Sequence, residues 1–205
     1  MKVIALTGGV ASGKTTVCRA FAKHSVPIID TDLLARQAVT PGSQALETIR
    51  QRYGDKISRY GGELDRAALG HIIFADPQER QWLENLLHPL IADLARREHQ
   101  RLSDLSASSY CIYAVPLLIE TLQADQKQPF DYARIALVDL DTPSQLARLQ
   151  DRSDLSLKDA KQRIDSQTNR ERRFGYVQDV IDNSEDIGHT IKQVNTLHAF
   201  YKDLQ

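Results

Sequence analysis

Cysteine is nearly absent from this chain, with only Cys18 and Cys111 among 205 residues. Two thiols cannot build the disulfide framework of a small secreted protein, and they lack the spacing of a zinc site. Both are expected as buried thiols in a reducing compartment. No apolar run approaches the ~20 residues of a membrane span, and the run from Val3 to Leu6 is shorter than a signal-peptide core. A soluble, cytoplasmic protein without a membrane partner is expected. Neither sign of charge prevails: 26 basic residues face 27 acidic ones, for a net charge of -1. That balance argues against a protein that grips the nucleic-acid backbone. Any anion site must therefore be local. Repeats and low-complexity segments are also missing, and the length suits one self-sufficient core with insertions.

Short apolar runs punctuate the chain. Lys2–Thr7 reads as a buried strand, a glycine turn follows, and Val17, Ala20, Phe21 and Ala22 carry a helix. Pro27–Asp30 is a second strand one helix later, so a βαβ unit with a right-handed crossover is expected. From Thr31 to Leu105 the sequence is charged and helical, with starts marked by Pro41-Gly42-Ser43 and Asp76-Pro77 and a turn at Gly61-Gly62. Ser109–Val115 and Ala133–Leu140 are two further strands, and Asp179–Asp182 is a last one. Thr142-Pro143-Ser144 is expected to cap a helix with Pro143 at its first position, and Ile187–Leu204 has helical spacing. The pattern is α/β. It divides into a core of residues 1–30, 109–142 and 177–205, a helical region 31–108 and a charged segment 143–176.

Gly8-x-x-x-x-Gly13-Lys14-Thr15 matches the phosphate-loop pattern G-x-x-x-x-G-K-[ST]. Its glycines allow torsions that turn successive N–H groups toward phosphate oxygens, and the helix that follows presents its positive end there. Gly8, Ala11, Ser12, Gly13, Lys14, Thr15 and Thr16 are the candidate triphosphate contacts, with Lys14 on the β and γ phosphates and Thr15 on magnesium. GTPase switches, ATP-driven machines and small-molecule kinases all use such a loop. The guanine-reading N-K-x-D is absent. Ile135–Asp139 fits the strand-plus-Asp that holds a metal in motors, or an ordinary buried strand end. A kinase needs a carboxylate at the acceptor hydroxyl and a means of shutting out water. Asp30 and Asp32 end the second strand at the sheet edge where ligands bind, so Asp32 is the candidate base; it is equally placed to cap a helix Leu33–Val39. Arg148–Arg173 holds eight basic and five acidic residues. It reads as a lid or as a solvated face, with Arg148 and Arg152 the candidate phosphate contacts.

LTGGVASGKTT, IIDTDLLAR at Ile28–Arg36, NLLHPLI at Asn85–Ile91, VPLLIE at Val115–Glu120, Gln145–Arg148, RIDSQ at Arg163–Gln167 and DVIDNS at Asp179–Ser184 together resemble the dephospho-CoA kinase family. The resemblance implies a P-loop kinase fold with a five-stranded parallel sheet, a helical substrate-binding insertion and a lid. It implies ATP and magnesium as cofactors, dephospho-CoA as the small-molecule partner, and transfer to its ribose 3′-hydroxyl. On this sequence it implies Asp32 as the activating carboxylate, Arg148 as the lid arginine, and Arg36, His88, Leu117 and Leu118 at the acceptor. His88-Pro89 also reads as a helix-breaking corner, and Pro116-Leu117-Leu118 as core. Ala11 departs from the family's usual glycine; a positive φ there would cost about 1 kcal/mol. Another small-molecule kinase and a non-transferring nucleotide-binding module stay open as alternatives, and so does a homo-oligomer.

Overall fold

A computed structural model of the protein describes residues 1–153 and 156–204; of residues 152 and 153 it describes only the helix they belong to. Five strands, β1 (Lys2–Gly8), β2 (Ile28–Asp30), β3 (Tyr110–Ala114), β4 (Arg134–Asp139) and β5 (Asp179–Asp182), form one all-parallel sheet in the order β2-β3-β1-β4-β5. The fold is the α/β sheet expected. β1 lies at its centre, pairing Val3 with Cys111 on one side and Leu6 with Ala136 on the other. β1 is paired on both edges and buried almost throughout, as a central strand of a helix-covered parallel sheet is, which is why it reads as a nearly continuous apolar run. The chain first moves to one side of β1, then crosses to the other between β3 and β4. That reversal opens a crevice at the carboxyl end of β1, where ligands of open α/β sheets bind.

The chain divides into two compact units, residues 1–30 with 99–205, and residues 31–98. In the first, helix α1 (Lys14–Ala22) packs Val17 and Phe21 onto Ile4, Leu6 and Ile112 of the sheet. The last described helix, α10 (Ile187–Lys202), is capped by Asp186, whose Oδ1 accepts the His189 N–H at 2.8 Å. Phe21 meets Tyr110 edge-on at 6.5 Å and stacks on Tyr201 at 6.2 Å. Their polar ends are served: Tyr201 donates to Asp179 Oδ2 at 2.8 Å, and Tyr110 bonds to His198 Nδ1 at 2.8 Å. Cys18 and Cys111 are buried free thiols, as expected, and burial pushes both up to about 12.

The second unit packs Val39, Leu46, Ile49, Ile57, Leu64, Leu69 and Leu83 together. Its helices are α2 (Thr31–Ala38), α3 (Gln44–Tyr53), α4 (Arg66–Ala75) and the first part of α5 (Pro77–Leu105). Ser43 caps α3 through the Leu46 N–H, and Asp65 caps α4 through those of Ala67 and Ala68. Hydrogen bonds from Arg52 and the Tyr53 hydroxyl hold the Glu79 carboxyl down to about 2, while the Arg52 guanidinium lies 4.5 Å from the Trp82 ring centre.

Three local expectations fail. His88-Pro89 does not break a helix: α5 runs through Pro89. Proline removes one backbone donor there, but Leu83, Leu86 and Leu87 are anchored in the unit's core just before it, and packing outweighs local preference. Nor is Thr142 the cap of its helix. In α7 (Thr142–Ser153) the first residue is already helical, and Asp141 Oδ1 caps it by accepting the Ser144 N–H at 2.9 Å. Likewise α2 begins at Thr31, so Asp32 lies inside its first turn rather than ahead of it.

His198, half-buried on α10, stacks on His24 at 4.3 Å, bonds to the Tyr110 hydroxyl of β3 and has the Lys202 ammonium nearby. Burial, then His24 and Lys202, hold its pKa below the ordinary histidine value. The unfolded chain therefore takes up this proton first as pH falls, so stability decreases below about pH 6.5. Melting temperature should decline modestly between about pH 7.5 and about pH 5, and His198→Gln should flatten that slope. An unchanged slope in the variant would remove His198 from the account.

Candidate functional site

The loop between β1 and α1 is shaped by two left-handed residues. Gly13 has φ 98° and Ala11 has φ 58°. At Gly13 even a methyl group would collide with the Asn183 amide, so glycine is required there by space as well as by torsion. Ser12 N–H closes the turn on Gly9 O at 3.1 Å, and Thr16 N–H bonds to Gly13 O at 2.9 Å. Gly13 stands at the N-cap position of α1 without a side chain to cap it, so the positive end of the helix lies at the loop. The Ser12 hydroxyl is buried inside the loop and has no hydrogen-bond partner among the described residues. Lys14 Nζ folds back to donate to Gly8 O at 2.6 Å, which keeps its ammonium beside the loop.

Side chains from distant sequence close on this loop. Asn183, just past β5, donates from Nδ2 to Ser12 O at 2.7 Å and accepts at Oδ1 from the Thr190 hydroxyl at 2.8 Å. Its carbonyl oxygen accepts Arg148 Nη2 at 3.0 Å, which sets the Arg148 guanidinium beside Gly13. Gln145 and Arg173, both buried, crowd Gly9 so closely that a side chain at that position would have to push their terminal groups aside. Gln167 Oε1 accepts the Val10 N–H at 2.8 Å. Beneath them Arg170 grips Asp139 with two nitrogens, Nε at 2.9 Å from Oδ1 and Nη2 at 2.6 Å from Oδ2. The Asp139 carboxylate is thus engaged by a guanidinium, which favours a structural strand end over a motor's metal holder. Burial lowers the Arg173 pKa, while Glu120, Asp139 and Glu171 pull it back. The result is a dense field of cations at a helix N-terminus.

The sequence candidates fall into three groups. Gly8, Ala11, Ser12, Gly13, Lys14, Thr15, Thr16 and Arg148 are brought together at the loop. Asp32 and Arg36 are four residues apart on α2 and His88 lies exposed on α5, all three in the second unit. Arg36 has a neighbour that the sequence did not announce: burial and the Arg36 charge both lower the Arg66 pKa. Leu117 is 38% exposed, whereas Leu118 starts helix α6 (Leu118–Gln123) fully buried. The Leu118 side chain packs into the core, the alternative that Pro116-Leu117-Leu118 also offers. The Arg152 side chain lies outside the described residues. Gln145, Gln167 and Asn183 lie inside motifs that carry the resemblance, and Arg170 and Arg173 inside the charged segment, but the sequence assigns none of them an individual role; only their three-dimensional convergence on the loop does.

Ala11 supplies a test of the loop. Its left-handed torsion strains an alanine that glycine would relieve, so Ala11→Gly should stabilise the fold by up to about 1 kcal/mol. Thermal melting should rise by roughly 2–4 °C in a chain of this size. A fall in melting temperature would show that the position tolerates alanine without strain.

The family model described as CoaE, dephospho-CoA kinase, matches residues 2–189. The dephospho-CoA kinase of Yersinia pseudotuberculosis is 40% identical over 202 residues, covering 98% of this chain and 94% of that one. A solved Thermus thermophilus structure superposes with a TM-score of 0.81 at 25% identity, covering 100% of this chain and 98% of the other. The dephospho-CoA kinase structure from Campylobacter jejuni, at 22% identity, shares the fold with a TM-score of 0.66 and 98% of each chain covered.

Proposed function

The chain belongs to the dephospho-CoA kinase family, and from that premise we propose how its residues share the work. The reaction moves the γ-phosphoryl group of ATP onto the ribose 3′-hydroxyl of dephospho-CoA, giving coenzyme A and ADP, the last step of coenzyme A formation. The bond from the γ-phosphorus to the bridging oxygen breaks, a bond to the acceptor oxygen forms, and the hydroxyl proton leaves. Asp32 takes that proton. It follows the last residue of β2 by two positions in the chain. The loop N–H groups and α1 bind the triphosphate, Lys14 and Arg148 balance the charge that develops on it, and helices α7, α8 (Leu157–Asp165) and α9 (Arg170–Phe174) act as the lid.

The residues also fit magnesium. The exposed Thr15 hydroxyl in the first turn of α1 is a hard oxygen donor of the kind this ion takes, alongside phosphate oxygens and water. Bound there, the ion would supply charge neutralisation to the triphosphate. In the second unit Arg36, with Arg66 near it, provides positive charge suited to the diphosphate of dephospho-CoA. His88 and Leu117 are read as further acceptor contacts. No helix among the described residues is long and apolar enough to cross a membrane. The use of ATP and the two free thiols suit the cytoplasm.

The observation that carries this reading is the loop itself, with Lys14 at its carbonyls and Arg148 fastened beside Gly13. Asp32→Asn should keep ATP affinity while turnover drops by roughly 10² to 10⁴, the loss typical of a missing general base. Steady-state turnover with direct ATP titration reads both, and near-normal turnover would return Asp32 to a role within its helix. Lys14→Ala should abolish transfer without moving the thermal melt; retained transfer would contradict the assignment of Lys14.

A further inference from the structure

The hydrogen bond from Val10 to Gln167 joins residues 157 positions apart. It has no part in the roles assigned so far. Val10 lies between Gly9 and the strained Ala11, in the section of the loop where torsional freedom and torsional strain adjoin. The Gln167 backbone, by contrast, is held from several directions. Its own N–H bonds to Ile164 O at 3.1 Å as α8 ends. Next to it, Thr168 N–H donates to Glu120 Oε1 at 2.7 Å and the Thr168 hydroxyl to Gln123 Oε1 at 3.0 Å, both on α6. One residue further, Asn169 caps α9 by accepting the Arg172 N–H at 2.9 Å. Gln167 Oε1 also accepts Arg173 Nη2 at 3.4 Å, and Arg173 is the buried cation packed against Gly9.

We propose that Gln167 is a positioning residue for nucleotide binding: its side-chain oxygen sets the Val10 amide, and with it the entry of the phosphate loop, in the geometry the triphosphate requires. It touches neither substrate and acts through the loop backbone. The loop pays no separate ordering cost when ATP arrives, because α6, α8 and α9 have fixed the acceptor oxygen beforehand. The same bond ties the charged segment that carries Arg170 and Arg173 to the loop that it flanks. The proposal rests on the reading of this loop as the ATP site.

Gln167→Leu keeps the side chain's size and removes the acceptor. It should raise KM for ATP roughly three- to tenfold, the range for one lost hydrogen bond, with KM for dephospho-CoA unchanged. Gln167→Glu retains an acceptor oxygen at the same reach and should recover most of that loss, which a merely structural role would not produce. Calorimetric titration with ATP alone, without acceptor, should show the same order of affinities. That arm separates the two ideas: a wild-type protein that binds ATP but does not phosphorylate dephospho-CoA would fault the substrate reading and leave the Gln167 test intact. Equal behaviour of the Leu and Glu variants, or a lower melting temperature with ATP affinity unchanged, overturns the proposal. Should Gln167→Leu fail to fold, amide exchange in the wild-type protein decides: Val10 N–H must exchange slowly without nucleotide, and fast exchange overturns the proposal as well.

Discussion

Between β1 and α1 the backbone takes left-handed torsions at Ala11 and Gly13, and much of the first unit serves to keep it there. A loop that turns its N–H groups toward an anion has few internal bonds to hold it, so its shape must be imposed from outside. Here the walls are polar side chains rather than apolar ones. Asn183 holds the Ser12 carbonyl, Gln167 holds the Val10 amide, and Gln145 and Arg173 crowd Gly9. Each wall comes from a different element, so the loop is assembled only when the sheet has closed and the segments after β4 and β5 have docked.

Charge follows the same logic. An overall charge near zero conceals a local concentration of cations, with Lys14, Arg148, Arg170 and Arg173 around one helix N-terminus. Arg170 is neutralised by Asp139, and buried Arg173 is offset by surrounding carboxylates at longer range. Such an arrangement carries its desolvation cost in the folded state, before any ligand arrives. The reacting phosphates then meet dipoles and charges that need little further reorganisation.

Much of this was legible in the sequence, and the reason is periodicity. β1 reads as a strand because it is buried on both faces, and the phosphate loop has a fixed spacing that chemistry demands. β5 has the bounds Asp179–Asp182 that the sequence suggests, an apolar pair between two acidic residues. Context decided what was missed. Pro89 ought to end a helix, yet the leucines before it hold α5 in place. Leu117 and Leu118 are indistinguishable as letters, and only packing turns one outward and the other in. Gln145, Gln167 and Asn183 sit in recognisable motifs, but their individual roles are not legible there, since each meets a part of the loop far away in the chain.

The most direct test of the central claim is the identity of the acceptor. ADP release would be followed with magnesium-ATP and, in turn, dephospho-CoA, AMP, adenosine and no acceptor, with the product weighed by mass spectrometry and its phosphate located by phosphorus NMR. The account predicts release that depends on dephospho-CoA and a product carrying one added phosphate on the ribose 3′-oxygen. Release with AMP, or without any acceptor, in place of dephospho-CoA would contradict it.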